Sequence, residues 1–172
     1  KKGVNIFLYS FLSFFIFNII TTHWIYHSTL FGAISAFTIN SLLMAVVFWL
    51  FYKSKKILGN RLSYICFVLF WIGMEYLHMN WDLAWPWLTL GNVFSSIPLF
   101  VQWYEFTGVL GGTLLILIIN LLVFQYWKTK NRRYVIILSG TILTSFLFSW
   151  VLIDKDEISH IEFEIVIVQP NI

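Results

Sequence analysis

Few side chains in this sequence could do chemistry, and the foremost of them is an acidic residue near the end of an apolar stretch. Glu75 closes a nearly uncharged run that begins at about residue 62. A carboxylate at such a depth in a membrane is costly unless it has a partner or water. His78 and Met79 follow at the helical spacings i+3 and i+4. The pattern therefore predicts either a structural Glu75–His78 pair at a helix end or a carboxylate that meets a lipid headgroup or a cation.

Two other candidates are weaker. His23 and His27 lie four residues apart, a spacing that could place both on one helix face as metal ligands. They have no carboxylate close by in the sequence, so interfacial hydrogen bonding is the preferred interpretation. Cys66 is the single cysteine, which excludes a disulfide framework and a metal site built from cysteines. It lies in an apolar run far from any base, so it is not a nucleophile. We expect neither a metal nor a cofactor.

The composition places these residues in a membrane protein. Of the 172 residues, 59% are hydrophobic and only 11% are charged, whereas soluble domains average about 45–50% apolar and about 25% charged residues. The excess suits helices whose outer faces meet lipid. A net charge of +3, with the basic residues in short loops, does not indicate nucleic-acid binding.

The uncharged runs predict an all-α integral membrane helical bundle. Residues 3–52 lack Asp, Glu, Lys and Arg, and one helix of that length would extend about 75 Å, against a hydrocarbon core of about 30 Å. The run must therefore fold back, and the polar stretch 21–29 is the natural turn. We predict a membrane domain over 1–153 with five transmembrane helices, at about 4–22, 30–52, 62–79, 106–127 and 134–153.

The charges of the loops predict the orientation. With five spans, ten of the 11 basic residues fall on one face, which the positive-inside rule makes cytoplasmic. These ten are Lys1, Lys2, Lys53, Lys55, Lys56, Arg61, Lys128, Lys130, Arg132 and Arg133. All eight acidic residues lie at or beyond the opposite face. The C-terminus is therefore predicted to be extracytoplasmic.

The segment 80–105 is too polar for a further span and too apolar for an ordinary aqueous loop. It carries the sequence Trp85-Pro86-Trp87, in which the proline ring fixes φ and stiffens the turn. Indole rings suit the membrane interface. Two interpretations stay open: a plain aromatic belt that anchors the protein, or one wall of a cleft that binds lipid substrates.

The last residues change character. A charged linker at 154–160 leads into 161–168, where apolar and acidic residues alternate before a β-branched run. This pattern is typical of a strand that enters a buried sheet, and Gln169-Pro170-Asn171 stops it. A lone strand cannot fold, so we expect the chain to be a fragment that ends at the first strand of another domain.

Three motifs in this order resemble the bacterial apolipoprotein N-acyltransferase family. Glu75-Tyr76-Leu77-His78 resembles the family's E-W-L-R at the end of a span. The stretch from Trp85 to Gly91, with Pro98, Gln102 and Gly108 after it, resembles the pattern P-W-x-x-x-G…P-x-x-Q…G. The run 165–172 resembles the V-x-x-V-Q-P-N-I strand that opens a nitrilase-like domain. Tyr76 and His78 depart from the family's Trp and Arg, and the family has about two further spans before this point.

The resemblance implies an acyl transfer in two steps at the bacterial inner membrane, with the tail in the periplasm. A cysteine of the nitrilase-like domain, beyond Ile172, would take an acyl chain from a phospholipid and pass it to a diacylated apolipoprotein. A Glu would serve as base and a Lys would stabilise the oxyanion. The membrane part would bind these partners and membrane lipids. Its expected lipid-cleft residues are Glu75, Trp85, Pro86, Trp87, Gly91 and Gln102.

Two rival functions stay open at this point. A small transporter or channel component would need ionisable or helix-breaking residues at mid-membrane, and this sequence has almost none. The other rival is a noncatalytic anchor for a degenerate nitrilase-like domain.

Overall fold

The computed structural model describes residues 2–82 and 84–153, and this part of the chain is an all-α bundle without a strand. The long helices are α1 (Lys2–Thr22), α2 (Leu30–Met79), α3 (Tyr104–Thr129) and α4 (Arg133–Leu152). Short 3₁₀ turns connect them at His23–His27, Pro86–Leu88, Leu90–Phe94 and Pro98–Phe100. The predicted linker and strand at 154–172 lie outside the described residues.

Helix α2 is a hairpin of two arms rather than one rod. Its backbone leaves helical geometry at Gly59, with φ 75° and ψ −176°, a region that essentially only glycine adopts. The arms 30–58 and 60–79 then fold back on each other, because the Phe51 ring lies 5.2 Å from Phe67 and the Phe48 ring 6.2 Å from Trp71. The sequence predicts a loop at 53–61, but the helical arms extend to the residues that flank Gly59.

Each remaining helix packs antiparallel to its neighbour in the chain or across the bundle. Asn18 of α1 contacts Ser41 in the first arm of α2, whereas α3 lies along the second arm, where Tyr64 and Phe124 approach to 6.3 Å. Helix α3 turns into α4 at Lys130, which has the left-handed conformation that commonly ends a helix (φ 56°).

The bundle core forms where α1, both arms of α2 and α3 meet. Met44, Val47, Trp71 and Leu117 are buried there. Asn18 adds a polar contact, since its side-chain amide donates to Ser41 Oγ at 3.1 Å and its oxygen accepts from Asn40 at 2.7 Å. Such hydrogen bonds help hold helices together where the surroundings are apolar. The outward faces stay rich in exposed Leu, Ile, Val and Phe, as lipid contact requires.

Four helices in the described ranges are long and apolar enough to cross a membrane. Helix α2 counts once among them, although its 50 residues would extend about 75 Å as one rod. Two crossings by α2 would give the five predicted spans, and that number stays a prediction. The predicted bounds differ from the observed ones by a few residues at most ends, as at α3, which begins at Tyr104 rather than 106.

Candidate functional site

The carboxylate of Glu75 is the centre of a buried hydrogen-bond cluster at one end of the bundle, called the Glu75 end below. Oε1 accepts from Trp71 Nε1 at 2.9 Å and from the Leu90 backbone N–H at 3.0 Å. Oε2 accepts from the Thr113 hydroxyl at 2.6 Å. Glu75 is only 5% exposed. One carboxylate therefore joins α2, α3 and the segment between them, and three donors offset the cost of burying it.

The predicted pair between Glu75 and His78 does not form. The His78 Nε2 atom lies 3.1 Å from the Trp85 carbonyl oxygen instead. Since a carbonyl can only accept, Nε2 carries the hydrogen in this contact. His78 thus fixes the beginning of the Trp85-Pro86-Trp87 turn, while Glu75 fixes its end through Leu90.

Gly91 lies against α3 so closely that no side chain fits. A Cβ there would overlap the carbonyl oxygen of Val109. The Gly91 N–H donates to Thr113 Oγ1 at 3.0 Å, and its carbonyl accepts from the Tyr104 hydroxyl at 2.8 Å. Gly112 completes the close approach, because a Cβ there would lie 3.0 Å from the Gly91 Cα. Small residues here allow a loop, rather than a second helix, to approach α3.

The indole rings of Trp85 and Trp87 form an aromatic cluster with Trp24, called the Trp cluster below. The Trp87 ring lies 5.1 Å from Trp85 and 4.8 Å from Trp24, which belongs to the turn after α1. Trp87 is 54% exposed and Trp24 47%. The cluster is therefore a surface of the Glu75 end, and it presents large rings to whatever surrounds the protein.

Pro86 and Gln102 hold the two ends of the segment. Pro86 opens a 3₁₀ turn, and its carbonyl accepts from Asn92 Nδ2 at 2.9 Å. The Gln102 side chain donates to the Pro98 carbonyl at 2.9 Å, and its backbone N–H donates to Ser149 Oγ of α4 at 2.7 Å. The structure thus brings together Glu75 and Gly91 in one cluster and Trp85, Pro86 and Trp87 in another, whereas Gln102 ties the segment to α4.

An apolar groove of about 600 Å³ runs between the two arms of α2. Leu50 and Leu69 line its end nearer Gly59, and His78, Asn80 and Trp81 line its end nearest the Trp cluster. The volume falls within the range of about 300–1,000 Å³ that small-molecule pockets occupy. Its lining is suited to a hydrocarbon chain, with polar groups at one end only.

The other chemical candidates do not form a site in the part of the chain that the structure describes. His23 Nδ1 lies 3.2 Å from the Ile20 carbonyl oxygen. Within residues 2–82 and 84–153, His, Cys, Asp and Glu side chains form no group of three or more that could hold a metal ion. Cys66 is a half-buried free thiol in the second arm of α2, seven residues after Gly59.

Two residues of the site were not among the sequence candidates. Thr113 bridges Glu75 and Gly91. The available signal is a single hydroxyl in the apolar stretch 108–119 of α3. Trp24 reaches Trp87 only through the fold, because 63 residues separate them; its position in a polar turn between two spans is the sole hint.

Comparison with known proteins supports the resemblance. The family model of the apolipoprotein N-acyltransferase N-terminal domain matches residues 1–122. The apolipoprotein N-acyltransferase of Chlorobaculum tepidum is 31% identical over 122 residues, which are 71% of this chain and 23% of that protein. The matched part of the chain thus covers about a quarter of the length of that relative. No solved structure matches the chain. By the extent of the family match, this chain belongs to the apolipoprotein N-acyltransferase N-terminal domain family.

Proposed function

We propose that this chain is the membrane part of an N-acyltransferase that moves an acyl chain from a phospholipid to the N-terminal diacylglyceryl-cysteine of apolipoproteins. The similarity to the apolipoprotein N-acyltransferase of Chlorobaculum tepidum supports this reaction. In the proposed arrangement the protein lies in the bacterial inner membrane. The Glu75 end faces the periplasm, and so does the tail after α4.

The observation that carries the proposal is the rigid support beneath the Trp cluster. His78 holds Trp85 through its carbonyl, and the buried Glu75 holds Leu90 on the other side of Trp87. The exposed Trp87 ring is therefore fixed at both flanks. Positioning of this kind contributes to catalysis because it holds a reactive group where attack can occur. The Trp cluster would give two lipid substrates a fixed surface at which to meet.

The groove between the arms of α2 supplies a place for an acyl chain. Its apolar walls match the methylene groups of an acyl chain, which would enter from bilayer hydrocarbon, so that shape and van der Waals contact favour binding. His78, Asn80 and Trp81 at its end match the polar ester region. An acyl chain in this groove would present its ester beside the Trp cluster. Trp85, Pro86, Trp87 and Gly91 then form or shape the substrate surface, and Gln102 holds the surface to α4.

Glu75 acts in this proposal as a positioning residue rather than as a lipid contact. Both of its oxygens accept hydrogen bonds from the protein, and its side chain is buried. A headgroup or a partner cation could reach it only by displacing Trp71, Leu90 or Thr113. Its effect on the reaction would pass through the segment that it anchors.

The chemistry itself would take place on a nitrilase-like domain that follows in the full-length protein. A cysteine thiolate of that domain attacks the phospholipid ester, which forms a thioester and releases a lysophospholipid. The α-amino group of the apolipoprotein then attacks the thioester, which forms an amide and returns the thiol. Cys66 is unsuited to the first step, because it lies within a helix arm of the bundle and no His, Asp or Glu occurs within eight residues of it in the sequence.

The test is acyl transfer by the full-length protein that carries this membrane domain. The purified enzyme receives a phospholipid with a labelled fatty acid and a synthetic diacylated lipopeptide. We expect label on the α-amino group of the lipopeptide and, without acceptor, a thioester that hydroxylamine releases. Cys66→Ser should retain both steps. A folded full-length protein that forms neither product would contradict the proposal. The rival function, a noncatalytic anchor for a degenerate nitrilase-like domain, would then remain.

A further inference from the structure

A second cavity lies at the opposite end of the bundle from Glu75, between the start of α1 and the first arm of α2. Its volume is about 560 Å³. Three lysines, two aromatic residues and the first small residues of α1 line it: Lys2, Gly3, Val4, Trp49, Tyr52, Lys53 and Lys56. We call it the lysine cavity.

Aromatic rings hold two of the lysines at the cavity wall. Lys53 Nζ lies 5.1 Å from the centroid of Trp49, and Lys56 Nζ lies 4.7 Å from the centroid of Tyr52. These are cation–π contacts at the helical spacing i, i+4. They restrict the long side chains, yet each ammonium group keeps N–H donors for another partner.

The Tyr52 ring lines the cavity, but its hydroxyl is shielded from it. The Tyr52 hydroxyl oxygen is buried and has no hydrogen-bond partner among the described residues. Gly3 lets α1 approach this ring, because a Cβ there would lie 3.2 Å from Tyr52 Cε1.

No acidic side chain of the described ranges neutralises the positive charge at this end. The acidic residues of the described ranges are Glu75, Asp82 and Glu105. Glu75 belongs to the opposite end of the bundle, and the other two lie just after α2 and at the start of α3, next to the same end. The lysine cavity therefore offers an uncompensated cationic site, which attracts an anion.

We propose that the lysine cavity binds the phosphodiester headgroup of an anionic phospholipid. The phosphate oxygens accept from the ammonium groups of Lys2, Lys53 and Lys56. A lipid suits the cavity better than a soluble phosphate compound because the rim is apolar: Val4 lines it and is 60% exposed. The acyl chains then lie along the exposed face of α1. Basic pockets between helices at a membrane face recognise headgroups in this way.

This site is separate from the proposed acyl-transfer surface. The Trp cluster lies at the Glu75 end, on the far side of the bundle core. The lipid at the lysine cavity is therefore a bound lipid that anchors α1 to α2 rather than the acyl donor.

Native mass spectrometry of the detergent-purified chain tests the proposal with three probes. These are phosphatidylglycerol, phosphatidylcholine of the same acyl composition, and inorganic phosphate. We expect phosphatidylglycerol to bind with the highest affinity and phosphatidylcholine at least tenfold more weakly. Equal affinity for the two lipids would overturn the charge argument. Displacement of bound phosphatidylglycerol by millimolar inorganic phosphate would overturn the assignment to a lipid.

The variant Lys53→Gln/Lys56→Gln should lower the affinity for phosphatidylglycerol by about 10- to 30-fold, because each lysine near an anionic surface contributes a factor of about five. The control is Lys128→Gln/Lys130→Gln, which removes the same charge. Lys130 also lies against aromatic rings, 6.0 Å from Tyr126, but outside the cavity. We expect the control to change the affinity less than threefold. Equal losses of affinity in both variants would show that general surface charge, rather than the lysine cavity, attracts the lipid.

Tyr52→Phe gives a second measurement that leaves the charge unchanged. It removes only the buried hydroxyl and keeps the ring under Lys56. Since that hydroxyl is shielded from the cavity, we expect the affinity for phosphatidylglycerol to stay within twofold of wild type, with unchanged helix content by circular dichroism. A loss of tenfold or more in this folded variant would show that the hydroxyl contacts the lipid and would contradict the proposed geometry.

Discussion

The hydroxyl of Thr113 donates a 2.6 Å hydrogen bond to Oε2 of Glu75 and thereby joins α3 to the second arm of α2. The same hydroxyl accepts from the Gly91 N–H at 3.0 Å. Glu75 and Thr113 therefore act together on the segment between the two helices. Since both side chains are buried, loss of one leaves a buried polar group of the other unpaired, which costs more than loss of an exposed hydrogen bond.

We predict that Glu75→Ala destabilises the bundle far more than Glu75→Gln. The alanine leaves the donors of Trp71, Leu90 and Thr113 without their acceptor, at about 1–3 kcal/mol for each. The glutamine keeps one oxygen for Trp71 and Leu90 but turns an amide toward Thr113. Thermal unfolding of the detergent-purified chain measures both. Thr113→Val should fall between them, and equal melting temperatures for all four proteins would exclude a structural role of the cluster.

We predict that Gly91→Ala is strongly destabilising. The added Cβ meets the Val109 carbonyl oxygen, which is backbone and cannot move away freely. Overpacking of this kind costs about 1–3 kcal/mol. The control is Gly140→Ala in α4, where a Cβ meets nothing within 4 Å and alanine favours a helix by about 1 kcal/mol. The two substitutions should therefore shift the melting temperature in opposite directions, and a similar shift for both would contradict the packing of Gly91.

Gly59 should tolerate no other residue well. Its φ of 75° and ψ of −176° lie in a region that is essentially restricted to glycine, at about 1–3 kcal/mol for other residues. Asn, which often replaces Gly in left-handed turns, should give no relief, because ψ differs from that of the left-handed helix. Gly73→Ala in the same helix is the control, since it has open space around Cβ. Thermal unfolding of Gly59→Ala, Gly59→Asn and Gly73→Ala compares them, and stable Gly59 variants would argue against the hairpin.

The sequence predicted the helices well and the contacts between them poorly. Long uncharged runs are sufficient to locate membrane helices, because chain length and bilayer thickness constrain them. The partner of Glu75 depends instead on how α2 and α3 are rotated about their axes, which a hydrophobic pattern does not specify when all faces are apolar. The prediction of His78 as the partner of Glu75 was wrong for this reason. Thr113, which lies 38 residues from Glu75 in the sequence, was not predicted as a partner. Gly91 was found only through the family resemblance.

The predicted topology can be tested by labelling single cysteines in a Cys66→Ser background. Asn60 follows the Gly59 break and Thr129 ends α3, and both are exposed. Cysteines at these positions should resist a membrane-impermeant thiol reagent in intact cells and react after lysis. A cysteine at the exposed Ser96, at the Glu75 end, should react in intact cells. Ser54 is unsuited, because it is buried. The reverse labelling pattern would invert the proposed orientation.

The last prediction separates a lipid-substrate surface from an aromatic anchor at Trp87. Its ring is 54% exposed and contacts Trp24 and Trp85. If the ring shapes the substrate surface, Trp87→Ala in the full-length enzyme should lower acyl transfer by about tenfold or more, since a loss of about 1.4 kcal/mol in the transition state has that effect. Trp87→Phe should retain more activity, because it keeps an aromatic ring beside Trp24. Acyl-enzyme formation and transfer to the lipopeptide are measured separately.

The matched control is Trp127→Ala, at the end of α3 that carries the lysines. This ring is 74% exposed, so its loss removes a similar interfacial anchor without touching the Trp cluster. An anchor effect should lower membrane insertion or the melting temperature in both variants and leave the turnover of the folded enzyme nearly intact. A substrate effect should lower turnover in Trp87→Ala alone, with insertion and melting near wild type. Normal rates of both steps in well-inserted Trp87→Ala would leave only the anchor, because exposure and stacking by themselves are what an interfacial belt also requires.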